Sequence, residues 1–80
     1  KKIKSRTVST NITEGTMATA LSKIQNQNLE VEIGSYPYIK NGEIGVSLVI
    51  RSENDDKLDE VCKKIKSLLI NLKGKILQEE

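Results

Sequence analysis

The clearest pattern in the chain is a set of apolar residues that recur every three or four positions near the C-terminus. This spacing predicts one buried face of a long helix, formed by Leu58, Val61, Cys62, Ile65, Leu68, Leu69 and Leu72. Asn54 or Asp55 stands where a side chain can cap the first turn of this helix. Gly74 follows the last apolar position, so we expect the helix to stop there.

A second, shorter helix is predicted in the first third of the chain. Thr13 precedes it as a cap, and Glu14 lies in its first turn, where a negative charge suits the helix dipole. About three turns are expected, with an apolar face made by Met17, Ala20, Leu21 and Ile24. The polar residues 25–28 then indicate that the helix fades.

Alternating apolar and polar residues predict two strands between the helices, at residues 29–33 and 44–50. Each strand has one apolar and one polar side. Pro37 interrupts backbone donation, and the pair Asn41 and Gly42 favours a turn with positive φ. We therefore expect a hairpin with a loose or bulged connection over residues 34–42.

Weaker strand signals at residues 3–10 and 75–77 complete the order of elements. The resulting order β-α-β-β-α-β predicts an α+β, ferredoxin-like fold. Its four-stranded sheet is mostly antiparallel, and right-handed crossovers place both helices on one face. At 80 residues, the chain is expected to form a single small domain, residues 1–80.

The amino-acid composition limits the catalytic and metal-binding functions that the chain can have. Thirteen basic residues against 11 acidic ones leave a net charge of +2, and the chain has no His. Because His is the usual general base near neutral pH and the commonest zinc ligand, we predict no self-contained catalytic or metal site and name no catalytic residue. The single cysteine, Cys62, lies on the apolar helix face and is predicted to be a buried thiol, which fits a cytoplasmic protein. No apolar run approaches the length of a membrane span.

Two other patterns suggest the hypothesis that the chain binds nucleic acid. Lys1, Lys2, Lys4 and Arg6 form a basic N-terminal arm, and four-stranded sheets of this topology often bind RNA. The chain lacks Phe and Trp, and its two tyrosines are predicted to lie in the hairpin connection rather than on the sheet, so nucleic acid is not the favoured partner. Residues 42–45 spell the GxxG of a KH loop, but they lead from a turn into a strand and are predicted to be structural.

The least ordinary stretch is Gly34-Ser35-Tyr36-Pro37. A structural account suffices for it, because Gly permits close packing, Pro fixes the chain's exit and the Tyr36 ring can cover the sheet. An interdomain contact or a loop near a ligand is the alternative. The sequence pattern leaves both open.

These residues resemble a known family. Glu14 in the sequence Thr13-Glu14-Gly15, the tetrapeptide Gly34-Ser35-Tyr36-Pro37, the strand at 45–50 and the long helix are similar to the C-terminal subdomain of the molybdopterin-binding-like unit of competence-damage-inducible proteins. A similar region occurs in the N-terminal part of eukaryotic FAD synthases. The resemblance covers nearly the whole chain and marks five positions as family-signature or interface candidates, namely Glu14, Gly34, Ser35, Tyr36 and Pro37.

The resemblance implies an accessory role. In the family, a larger α/β domain precedes this subdomain and is associated with nucleotide pyrophosphatase activity of the ADP-ribose type and with a divalent metal. This chain would then hold no cofactor, be inactive alone, and have the upstream domain of the same chain, and also a second copy, as partners. The alternative is a stand-alone module with a ferredoxin-like sheet that binds a small molecule or nucleic acid.

Overall fold

Six elements make up the computed structural model, which describes residues 2–80; Lys1, the first residue of the predicted basic arm, lies outside the described part. The elements follow the chain in the order β1 (Lys4–Thr10), α1 (Glu14–Gln27), β2 (Glu32–Lys40), β3 (Glu43–Ser52), α2 (Asp55–Asn71) and β4 (Ile76–Glu79). This is the predicted β-α-β-β-α-β order.

The strands form one sheet in the order β2-β3-β1-β4, and all three neighbouring pairs are antiparallel. β1 and β3 are therefore central, and β2 and β4 are edges. The two helices pack side by side on one face, with Lys57 at the start of α2 donating from Nζ to Oδ1 of Asn28 at the end of α1 (3.2 Å). The predicted α+β, ferredoxin-like arrangement is confirmed, and the opposite face of the sheet, here called the open face, carries no helix.

The core lies between the sheet and the helices. The apolar side of β3 and the apolar stripe of α2 face each other, as the periodicity predicted. Eleven apolar residues are at most 3% exposed, and they are Val8, Met17, Val31, Val46, Leu48, Ile50, Leu58, Val61, Cys62, Ile65 and Leu69. Because most of these come from α2 and β3, this pair of elements supplies the greater part of the buried surface.

Helix α2 begins and ends with recognisable caps. The Asn54 side chain accepts a hydrogen bond from the Lys57 backbone N–H (3.1 Å). At the other end, the positive φ falls on Lys73 (62°) rather than on Gly74, and the Gly74 N–H donates to the Leu69 carbonyl (2.9 Å). Gly74 is needed for room instead, because a Cβ there would overlap the side chain of Ile12.

The predicted loose hairpin connection is wrong. β2 runs without a register shift to Lys40, and only Asn41 (φ 53°) and Gly42 (φ 78°) form the turn. Pro37 is tolerated inside the strand because β2 is an edge, where a missing N–H can face away from the sheet. Residues 34–40 are therefore sheet rather than loop.

The junction between α1 and β2 also differs from the prediction. Leu29 is 83% exposed in a turn, and the strand starts only at Glu32. The helix ends at Gln27, within the polar run 25–28 as predicted. The Gln25 side chain accepts from the Ile33 N–H (2.9 Å) and donates to the Val31 carbonyl. The Gln25 amide thus hydrogen-bonds to the backbone at the outer edge of β2, in the place where a neighbouring strand would otherwise pair.

No helix between residues 2 and 80 is long and apolar enough to cross a membrane.

Candidate functional site

The tetrapeptide that stood out in the sequence is divided between two faces of β2. Side chains alternate along a strand, so Gly34 and Tyr36 lie on the open face, whereas Ser35 and Pro37 lie on the side of the helices. The five predicted residues therefore do not converge on one pocket. Four of them form two separate contacts, and Pro37 belongs to neither.

The first contact joins Ser35 to Glu14. The Ser35 hydroxyl donates to Oε1 of Glu14 (2.9 Å), although the two residues are 21 positions apart. Glu14 lies in the first turn of α1, where its charge also suits the helix dipole. This hydrogen bond ties the start of α1 to the middle of the edge strand.

The second contact lies on the open face, where aromatic rings cover glycines. A Cβ on Gly34 would lie only 3.1 Å from Cε2 and from Oη of Tyr36, and a Cβ on Gly45 would lie 2.6 Å from Cζ of Tyr38. Gly45 is the cross-strand partner of Tyr38. The two glycines thus leave space for the rings to lie close to the backbone. The tyrosines belong to the sheet, which corrects their predicted place in a connecting loop.

The rest of the open face carries mostly small side chains. Ser9 and Ser47, from the two central strands, have their hydroxyls 3.1 Å apart. Val49 and Arg51 continue the same face of β3, and with Tyr36 they line a shallow groove of about 110 Å³. This part of the open face thus presents an exposed ring, hydroxyls and one aliphatic side chain, together with the Arg51 guanidinium, whose cross-strand partner is the acidic residue Glu32.

The two titratable groups of residues 2–80 whose pKa values are shifted, Cys62 and Glu60, lie on α2 and not on the open face. Burial raises the pKa of the Cys62 thiol, which lies in the core. Hydrogen bonds and charge from Lys57, and then from Lys64, hold the pKa of the exposed Glu60 carboxyl below its ordinary value. Within residues 2–80 there is no group of three or more potential metal ligands, and no buried side-chain polar atom lacks a partner.

Tyr38 and Gly45 were not among the predicted site residues. The alternation of side chains along a strand could have identified them. If Pro37 lies within an edge strand, this alternation places residues 34, 36 and 38 on one face. The pattern predicts that the strand ends at residue 33 and that residues 34–42 are a connection, because Pro37 interrupts backbone donation, so that face was missed.

The comparisons with known proteins support one part of the resemblance. A family model described as the middle domain of FAD synthase matches residues 2–75, from before β1 to the end of the α2–β4 connection. No curated protein matches the chain. Because the match spans most of the sequence, the chain belongs to the FAD synthase middle-domain family.

Proposed function

We propose that this chain is an accessory domain that packs, through the open face of its sheet, on a larger α/β domain of the same protein. The observation that carries the proposal is the pair of tyrosines seated over glycines on that face. Tyr36 keeps 54% of its surface exposed although its ring is already positioned. Tyrosine is enriched at protein interfaces because it combines apolar area with a polar tip.

The layer arrangement supports the same proposal. Both helices pack on one side, so β3 has fully buried side chains there and half-buried ones such as Val49 on the open face. An antiparallel sheet can leave its second face in water, but the exposed Tyr36 ring and the half-buried Val49 give this face apolar area that another layer could cover. A neighbouring domain would supply that layer, and the family name, which places this unit in the middle of FAD synthases, is consistent with such a neighbour.

The finer part of the proposal follows the resemblance to competence-damage-inducible proteins. We assign a nucleotide pyrophosphatase or cofactor-related site, with its divalent metal, to the partner domain upstream, and no catalytic group to this chain. Gly34 and Tyr36 would contact the partner, Glu14 and Ser35 would hold β2 in place, and Pro37 would keep the edge from pairing. The buried lone Cys62 fits a cytoplasmic protein.

The test is Tyr36→Ala in the native gene product. Loss of the ring should lower thermal stability or homo-oligomer assembly before it affects metal-dependent turnover, because the ring contacts a partner rather than a substrate. Leu29→Ala is the matched control, since it also truncates an exposed large side chain but lies in the turn before β2. A selective loss of turnover in a folded, normally assembled Tyr36→Ala protein would contradict the proposal.

One observation favours a second candidate, a stand-alone module that binds a nucleotide or RNA. The exposed Tyr36 ring shares its groove with Arg51 and with the acidic Glu32. Aromatic rings and guanidinium groups can stack on bases, although the Glu32 carboxylate disfavours a nearby phosphate. Thermal-shift titrations of the 80-residue chain with ADP-ribose, FAD and a short RNA separate the two candidates. A saturable shift that Tyr36→Ala removes would favour the binding module, whereas no shift with any of the three favours the accessory domain.

A further inference from the structure

A second surface lies on the outer side of the helix layer, away from the open face. It is a groove of about 480 Å³ between α1 and α2, which we call the helix groove. Its floor is apolar and half-buried, and its rim carries three lysines. The residues that define it here are Ala20, Ile24 and Leu68 on the floor and Lys23, Lys63 and Lys64 on the rim.

The charge of the helix groove is of one sign. No acidic side chain lines it. Glu60 approaches Lys64 at 3.4 Å, but the same carboxylate oxygen is also bound by Lys57 at 3.0 Å. Within residues 2–80, Lys23 and Lys63 form no ion pair. Lys23 and Lys63 therefore carry positive charge that no acidic side chain in the described part pairs with, whereas Lys64 shares Glu60 with Lys57.

The lysines stand on both walls of the groove. Lys23 belongs to α1, whereas Lys63 and Lys64 belong to α2. An apolar floor between two charged walls matches an amphipathic helix whose apolar stripe is flanked by carboxylates.

We propose that the helix groove docks an acidic amphipathic helix of a protein partner, with apolar side chains on the floor and carboxylates on Lys23 and Lys63. A nucleic-acid backbone is the less suitable occupant, because the apolar floor would face phosphates and the groove lining includes no aromatic ring on which a base could stack. The helix groove is separate from the open face, so this chain would contact one partner through its sheet and another through its helices.

The test uses a synthetic helical peptide of about 18 residues, roughly five turns, with Leu at i, i+3, i+4 and i+7 spacing and Glu beside them. In a titration of the ¹⁵N-labelled chain, we expect saturable amide shifts confined to the helix groove. Lys23→Glu combined with Lys63→Glu should raise the dissociation constant at least tenfold. Lys40→Glu is the matched control, because this exposed lysine at the end of β2 lies outside the groove, and it should leave the constant unchanged.

Four results would overturn the inference. One is the absence of saturable shifts at the floor residues. Another is equal binding of a Glu-only peptide of the same length, which would make the surface a simple anion patch. The third is tighter binding of a short single-stranded RNA than of the peptide to the same residues. The fourth is an equal loss on Lys40→Glu, which would show general charge attraction; the amide spectrum of each variant checks that its fold is intact.

Discussion

The two sides of strand β3 differ in what they contribute. Toward the helices, Val46, Leu48 and Ile50 are at most 1% exposed and form the centre of the core. Toward the open face, the same strand presents Gly45, Ser47 and Val49, which are small or only partly covered. One strand therefore carries a close-packed stabilising surface and, on its reverse, the surface that we propose contacts another domain.

This difference predicts that the two faces of β3 contribute unequally to stability. Apolar burial on the helix side drives folding. On the open face, small side chains and glycines leave room for two rings and add little burial. Substitutions on the two sides of one strand should therefore have different effects, and these can be measured in the isolated chain.

The largest expected difference is between neighbouring residues of β3. Leu48→Ala should lower the free energy of unfolding by about 2 to 5 kcal/mol, because it removes a fully buried side chain and leaves a cavity. Val49→Ala should cost less than about 1 kcal/mol, since its side chain is only half-buried. Urea denaturation followed by circular dichroism measures both, and equal losses would contradict the division between the two faces.

Two glycines should give the second-largest difference in stability between the helix side and the open face. Gly74→Ala should cost about 1 to 3 kcal/mol, because the new Cβ would overlap Ile12 and lie 3.2 Å from the Leu69 carbonyl oxygen. Gly45→Ala should cost less, since the Tyr38 ring can swing outward from the open face. The same urea titrations test the order, and a larger loss for Gly45→Ala would show that the ring is fixed.

A substitution that removes a contact at the edge of β2 should have a smaller effect on the free energy of unfolding. Gln25→Ala should cost about 1 to 2 kcal/mol, because it leaves the Ile33 N–H and the Val31 carbonyl without their side-chain partner. Gln27→Ala, on the exposed side of α1, is the control and should be nearly neutral. Hydrogen exchange of the Ile33 amide should quicken only in the first variant; unchanged exchange would show that the contact does not protect the strand.

The smallest effect concerns Glu60 on the helix surface. Its pKa in the folded chain is below the ordinary value of 4.5, with hydrogen bonding from Lys57 as the main cause. Its contribution to stability is therefore present above that value and is lost as the pH falls through the folded pKa. Glu60→Gln should be slightly less stable than the parent near neutral pH, and the two urea midpoints should converge in more acidic solution. A constant difference across pH would contradict this cause.

Much of the helix-side architecture could be predicted, because burial on one side of an element imposes a period on the sequence. The α2 stripe and the β3 alternation are such periods, and both are confirmed. The open face could not be predicted in the same way. Whether Pro37 ends a strand or lies on its edge depends on strand order, and the role of Gln25 depends on where β2 begins.

Contacts between residues that are distant in the sequence could not be predicted either. The sequence predicts only that α2 stops at Gly74, whereas in the structure Gly74 also makes room for Ile12, which is 62 positions away in the sequence. The link between Glu14 and Ser35 is likewise a contact between distant segments. Local patterns predict elements, whereas contacts of this kind depend on how those elements pack.

The most direct test of the central claim is hydroxyl-radical footprinting of Tyr36 in the 80-residue chain and in the native gene product. If the open face packs on an upstream domain, Tyr36 should be oxidised several-fold more slowly in the native product, while the exposed Leu29 reacts at the same rate in both. An equal rate for Tyr36, or a native product whose intact mass leaves no room for an upstream domain, would contradict the account.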